Sequence, residues 1–146
     1  MKGLIIFIII LLVLIFLIFR KRKRGTIILS ENFRGLLNEY VVFYRQLNDG
    51  DKLRFENRIK DFLSYVRIHG VNTNIDELDK LLVASSAVIP TFGFDWHYHN
   101  LRDVLLYPDR FNGNDFSLTS NERNALGMVG TGAMQRMMIL SRPALR

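Results

Sequence analysis

The chain has 146 residues, about half of them apolar, no cysteine, and a net charge of +6. The lack of cysteine excludes disulfides, thiol catalysis and Cys-ligated zinc. Lys2 and Arg20 to Arg24 hold six of the basic residues, and from Gly25 onward fourteen Lys/Arg meet fourteen Asp/Glu. The positive charge therefore belongs to one flank, and a nucleic-acid surface is excluded.

Leu4 to Phe19 is an unbroken apolar run. As a helix it is about 25 Å long, close to the thickness of bilayer hydrocarbon, and Lys2 and Arg20 reach the two interfaces by snorkelling. A cleaved signal peptide has its bases before a shorter apolar core and a small-residue cleavage site after it. Here Arg20, Lys21, Arg22, Lys23 and Arg24 follow the run, so residues 1–19 are predicted to be an uncleaved single-pass anchor. The bases outweigh Lys2 and place the remainder on the cytoplasmic side of the cell membrane. They also make membrane lipid the first predicted partner, through anionic headgroups. Residues 20–30 are the basic flank and linker, and 31–146 form one small domain.

A first helix is predicted from Ser30. Phe33, Leu36, Leu37, Tyr40, Val41, Tyr44 and Leu47 recur at helical spacing, and Asn48-Asp49-Gly50 is expected to stop it. A second helix follows Asp51, burying Phe55, Ile59, Phe62, Leu63 and Val66, with Gly70 as its C-cap. His69, just before that cap, is placed in the field of the helix dipole. A third helix starts at Asn74 with Glu77 as capping-box partner and ends before Pro90. Its small residues Ala84-Ser85-Ser86-Ala87 permit close packing. Glu56, Asp61, Glu77 and Asp79 are assigned to the solvated faces of these helices.

After Pro90 the pattern changes. Thr91 to Trp96 is an aromatic loop. Val104 to Tyr107, closed by Pro108, reads as a buried strand. Asn112 to Asp115 is a turn, and Ser117 to Asn124 has room for a helical turn. Met134 to Leu140 is a second strand, in which Met134, Met137 and Met138 pack. The fold class is thus α+β: an N-terminal transmembrane helix, then a helical region followed by short strands of an incomplete sheet.

The candidate chemistry is sparse. His97 and His99 are two apart, with Asp95 near; on a strand they share a face and are the candidate metal ligands. A His-x-His pair alone is unspecific, and two partly exposed histidines in an aromatic loop, stacking or bonding backbone, are the default reading. Gly127-Met128-Val129-Gly130-Thr131-Gly132 lacks the lysine of a phosphate loop and reads as the approach to a strand. No Gly-x-Ser-x-Gly and no His-Glu-x-x-His occurs, so no catalytic residue and no cofactor-binding residue is assigned.

The order of elements resembles the N-terminal half of the Mlc titration factor A family of zinc-dependent peptidases. The matching residues are Phe62-Leu63 and Gly70, the small-residue helix from Ile75 to Ile89, and above all Trp96, Leu101-Arg102-x-Val104-Leu105-Leu106-Tyr107-Pro108 and Phe111. Ile139-Leu140-Ser141 resembles the strand that precedes the family's catalytic helix. His97-Tyr98-His99-Asn100 departs from the family's spacing after the tryptophan. The resemblance implies zinc as the family's cofactor, bound by the two histidines of a His-Glu-x-x-His helix whose glutamate activates water. No residue here matches those positions, so no cofactor is expected on this chain itself. The chain is expected to be the membrane-anchored N-terminal portion of such a peptidase, inactive alone, with a C-terminal half as partner. The alternatives are an anchored protein-binding module without enzymatic activity, and a small metal enzyme built on Asp95, His97 and His99.

Overall fold

A computed structural model describes residues 27–94, 98, 100–119 and 121–146. The predicted anchor, Arg20 to Arg24, and His97 and His99 lie outside the described residues. Among the described residues, no helix is long and apolar enough to cross a membrane.

The fold is mixed α+β, with the helical layer on one face of a four-stranded sheet. Helix α1 (Phe33–Tyr40) buries Phe33 and Leu37. It does not begin at a Ser30 cap: Asn32 takes the N-cap position without a side-chain bond, and Ser30 bonds instead to Glu77. Nor does it run on unbroken to Leu47. Val41 is extended (φ −113°, ψ 95°) and separates α1 from the single turn α2 (Val42–Arg45). Consecutive helical residues point about 100° apart. The break at Val41 lets both Phe43 and Tyr44 reach the Phe55 ring, with centroids 5.7 and 5.8 Å away.

Asn48 starts the next helix instead of ending the previous one. Its side chain accepts a hydrogen bond from the Asp51 amide at 2.9 Å and caps α3 (Asp49–Tyr65). Asp49 and Asp51 lie in the first turn, where negative charge suits the helix dipole. The expected stripe of Phe55, Ile59, Phe62 and Leu63 is buried, and Val66 leaves the helix in extended form.

The next segment departs from expectation. Gly70 is not a helix cap but the end of strand β1 (Arg67–Gly70). A Cβ at Gly70 would collide with the Thr73 carbonyl oxygen, so glycine permits the chain to double back there. Helix α4 (Glu77–Val88) has Asp76 as its N-cap, two residues beyond the predicted Asn74. Its capping box joins Asp76 and Asp79, leaving Glu77 for Ser30. A short 3-10 turn (Ile89–Thr91) then carries the chain through Pro90.

Strands β2 (Asp103–Tyr107), β3 (Gly127–Val129) and β4 (Met137–Ser141) complete the sheet in the order β1-β2-β4-β3. β1, β2 and β4 are parallel, and β3 runs antiparallel to β4 at one edge. The strands do not all follow the helices, because β1 lies between α3 and α4. The second predicted strand begins at Met137, since residues 132–134 form a 3-10 turn. Residues 117–124 hold no helical turn among those described.

Strand β2 is buried on both faces, as befits a central parallel strand. Val104, Leu106 and Leu140 face the helices and join a core with Leu37, Phe55 and Leu81. On the opposite face Tyr107 and Ile139 form a second core with Phe111, which bridges to Ala125. The segment from Leu101 to Phe111 therefore supplies the central strand and the anchor of this second core.

Candidate functional site

Among the described residues, no three His, Asp or Glu side chains converge in a way that would hold a metal ion. The one described histidine, His69, stands on β1 and not at a helix end. Its Nε2 lies 3.1 Å from Asp103 Oδ1 on the neighbouring strand, and Arg67 Nε lies 2.9 Å from the same oxygen. Burial works against the Asp103 charge, but hydrogen bonds from Arg67 and His69 outweigh it and hold the carboxyl below its ordinary range. The residues described do not fit a zinc site. Between the candidate ligands, Tyr98 packs against the helical core and its hydroxyl donates to the Ala87 carbonyl at 3.1 Å. Arg58 of α3 donates to the Thr91 and Phe94 carbonyls, both at 2.7 Å, and so fixes the loop leading there.

The glycine-rich segment is no phosphate cradle. Gly127 pairs with Leu140 in the sheet, and the Gly130 amide donates to the Met137 carbonyl. A Cβ on Gly130 would strike the Met134 backbone, and Gly132 has φ +57°, so both glycines serve the β3–β4 connection. Met138 and Met134 pack against the two cores, as expected.

Two carboxylates assigned to solvent are instead buried, and they organise the fold. Glu56 is 3% exposed. It accepts from Arg34 Nε at 3.0 Å and Nη2 at 2.9 Å, and from the Tyr44 hydroxyl at 2.8 Å, tying α1, α2 and α3 together. Burial alone would favour its neutral form, but these bonds and the Arg34 charge bring its pKa below the usual value. The Tyr44 hydroxyl, buried and donating to Glu56, is pushed up to about 12.

Asp79 is wholly buried. Its Oδ1 accepts from Arg142 Nε at 3.0 Å and its Oδ2 from Arg142 Nη2 at 2.7 Å; Arg146 Nη2 adds a bond of 3.3 Å. Arg142 also donates to the Asn74 carbonyl at 2.8 Å. The exit of β4 is thereby clamped to the start of α4. Periodicity concealed both carboxylates, because each lies beside an apolar stripe. The N3 position of Asp79 after the Asp76 cap was the one local signal, and nothing local pointed to Arg142.

The domain thus has a closed double core, a clamped last strand and no metal-ligand cluster among its described residues. The family model of glucose-regulated metallo-peptidase M90 matches residues 18–146, and the chain belongs to this family. No curated protein and no solved structure matches it. The match agrees with the resemblance carried by Leu101 to Phe111, whose residues the structure places in the sheet centre and second core. Zinc is the family's metal, while the described residues of this chain offer no set of ligands for it.

Proposed function

We propose that this chain is the membrane-anchored, non-catalytic portion of an M90 metallopeptidase. Residues 1–19 form the anchor, the basic flank keeps residues 31–146 on the cytoplasmic side, and the zinc ligands come from polypeptide other than residues 1–146. The observation that supports this reading is the family match over 18–146 in a sequence without a His-Glu-x-x-His. In its place stands a scaffold whose buried carboxylates are engaged in internal ties.

The test has two arms. Membranes carrying the full chain are washed with carbonate and high salt, and the chain should stay with them. A reporter fused after Arg146 should be active only in the cytoplasm; secreted activity would overturn the orientation. The purified chain is then assayed on peptides with and without zinc and chelator. No zinc-dependent hydrolysis is expected. Chelator-sensitive cleavage that disappears in His97→Ala or His99→Ala would refute the non-catalytic role and establish the metal-enzyme alternative.

A further inference from the structure

A groove of about 430 Å³ opens along the free edge of β1, with residues 27–29 as its other wall. That volume falls in the range of small-ligand sites. Its floor is apolar, from Leu63, Val66 and Ile68, and its rim carries Arg67, His69 and Lys80.

The polar groups differ in what they have left to offer. Glu77 on the rim is occupied by the Ser30 amide and hydroxyl, and Asp103 engages Arg67 and His69. Lys80 is exposed and its charge acts on the neighbouring Glu77 carboxylate, whose hydrogen bonds go to Ser30. The strand edge offers a further donor. Arg67 donates its N–H to the Arg102 carbonyl and Val71 to that of Leu106. In a parallel pair, bonding to one neighbour alternates along the strand. The backbone N–H and C=O of Ile68 therefore point away from β2, toward the groove.

Two features set the location. Ile28, on the lip, is 90% exposed. It is the most exposed large apolar side chain described, and such a residue suits an interface with lipid. The covalent chain supplies the second constraint. At the full extension of about 3.6 Å per residue, Ile27 lies within about 11 Å of Arg24 and within about 29 Å of Phe19. With residues 1–19 in the bilayer, Ile27 at the groove's wall is tethered within about 29 Å of the end of the anchor.

We infer that this groove binds the phosphate-bearing headgroup of an anionic phospholipid. The phosphate meets Lys80 and the Ile68 N–H beside the Arg67–Asp103 pair, the first methylenes lie on Leu63 and Val66, and Ile28 dips into the interface. The inference rests on the proposed anchor, and its test separates the two. The full chain, with isoleucine methyls labelled, is placed in bilayer discs of phosphatidylcholine, with or without one quarter phosphatidylglycerol. Flotation and carbonate resistance report the anchor independently of lipid charge.

The groove is reported by the Ile27, Ile28 and Ile68 methyls. They should shift only when phosphatidylglycerol is present and broaden with a headgroup spin label. Lys80→Glu, at an exposed position that leaves the core intact, should weaken the phosphatidylglycerol dependence at least about fivefold, the effect of about one basic residue at an anionic surface. Ile28→Ser should reduce the broadening. A chain that floats normally but whose three methyls ignore phosphatidylglycerol overturns this inference and leaves the anchor standing. Inorganic phosphate giving the same shifts would overturn the lipid assignment. So would an acidic peptide that perturbs β1 in discs where lipid does not, since strand addition would then be the use of that edge.

Discussion

Replacing Arg142 with methionine tests the clamp between β4 and α4 most directly. The substitution keeps most of the side-chain length and removes the charge. Asp79, with no exposed surface, would then keep Arg146 at 3.3 Å as its cationic partner. Two charges about 3 Å apart attract by about 5 kcal/mol at an effective dielectric constant near 20. The desolvation that offsets this is already incurred by Asp79 and is not recovered when its partner leaves. Breaking a buried pair typically costs about 3–5 kcal/mol for that reason. Arg142 is partly exposed and Arg146 remains, so the lower end applies, at about 3 kcal/mol. Asp79→Asn strands the more accessible guanidinium groups, of which Arg142 still donates to the Asn74 carbonyl and Arg146 still faces Asp76, and should cost about 2 kcal/mol. The double variant should cost clearly less than the two singles added, because neither charge is then left alone.

Denaturation of the full chain in mild detergent, monitored by far-UV circular dichroism, supplies the free energies. Hydrogen exchange at the Leu81 to Ala84 amides locates them in α4. A loss below about 1 kcal/mol for Arg142→Met, or strict additivity in the double variant, would refute the argument that Asp79 depends on this partner.

Three further outcomes are expected. Glu56, Glu77 and Asp103 have folded pKa values below their ordinary ones. Their contribution to stability is therefore complete above the ordinary carboxylate range and lost as pH falls through the depressed values; thermal midpoints should hold steady from pH 7 to about 5 and drop steeply below about pH 4. Phe111→Ala empties the centre of the second core and should cost about 3–5 kcal/mol, measured by the same denaturation, with exchange rising first in residues 108–126. Gly70→Ala forces a methyl against the Thr73 carbonyl and should be destabilising, where the same change at the open position Gly93 should be nearly neutral.

Whether an element was legible in the sequence depends on how it is stabilised. The apolar faces of α3 and α4 and the run of β2 could be read directly, since burial imposes a period or a continuous apolar stretch. Strand β1 could not. Arg67-Ile68-His69-Gly70 has one apolar side chain, and its place in the sheet comes from backbone pairing with β2 and from Asp103 drawing in Arg67 and His69. Strand β3 is three residues long beside glycines, held by pairing with β4 and by Met128 against the second core. The break at Val41 was concealed because α1 and α2 together keep the periodicity of one helix; only packing around Phe55 reveals it. Glu56 and Asp79 were misplaced for a related reason. A helical wheel locates a carboxylate but not the cation that enters from elsewhere in the chain. The partners here are 22 and 63 residues distant.

These distant partners bear on how the end of the sheet is held. A buried ion pair adds little net stability compared with well-packed apolar side chains, while its directional bonds penalise any other arrangement. The Asp79 clamp lies where the chain leaves β4, just after the Ile139-Leu140-Ser141 segment that resembles the strand preceding the family's zinc helix. Apolar packing of Leu140 and Ile139 holds that strand in the sheet, but it leaves the exit free to swing at Arg142-Pro143. The two-pronged bond from Arg142 to Asp79, with Asn74 and Arg146 completing it, removes that freedom. The clamp is therefore best understood as fixing the direction in which the chain leaves β4, and the cost of burying Asp79 as what secures that direction.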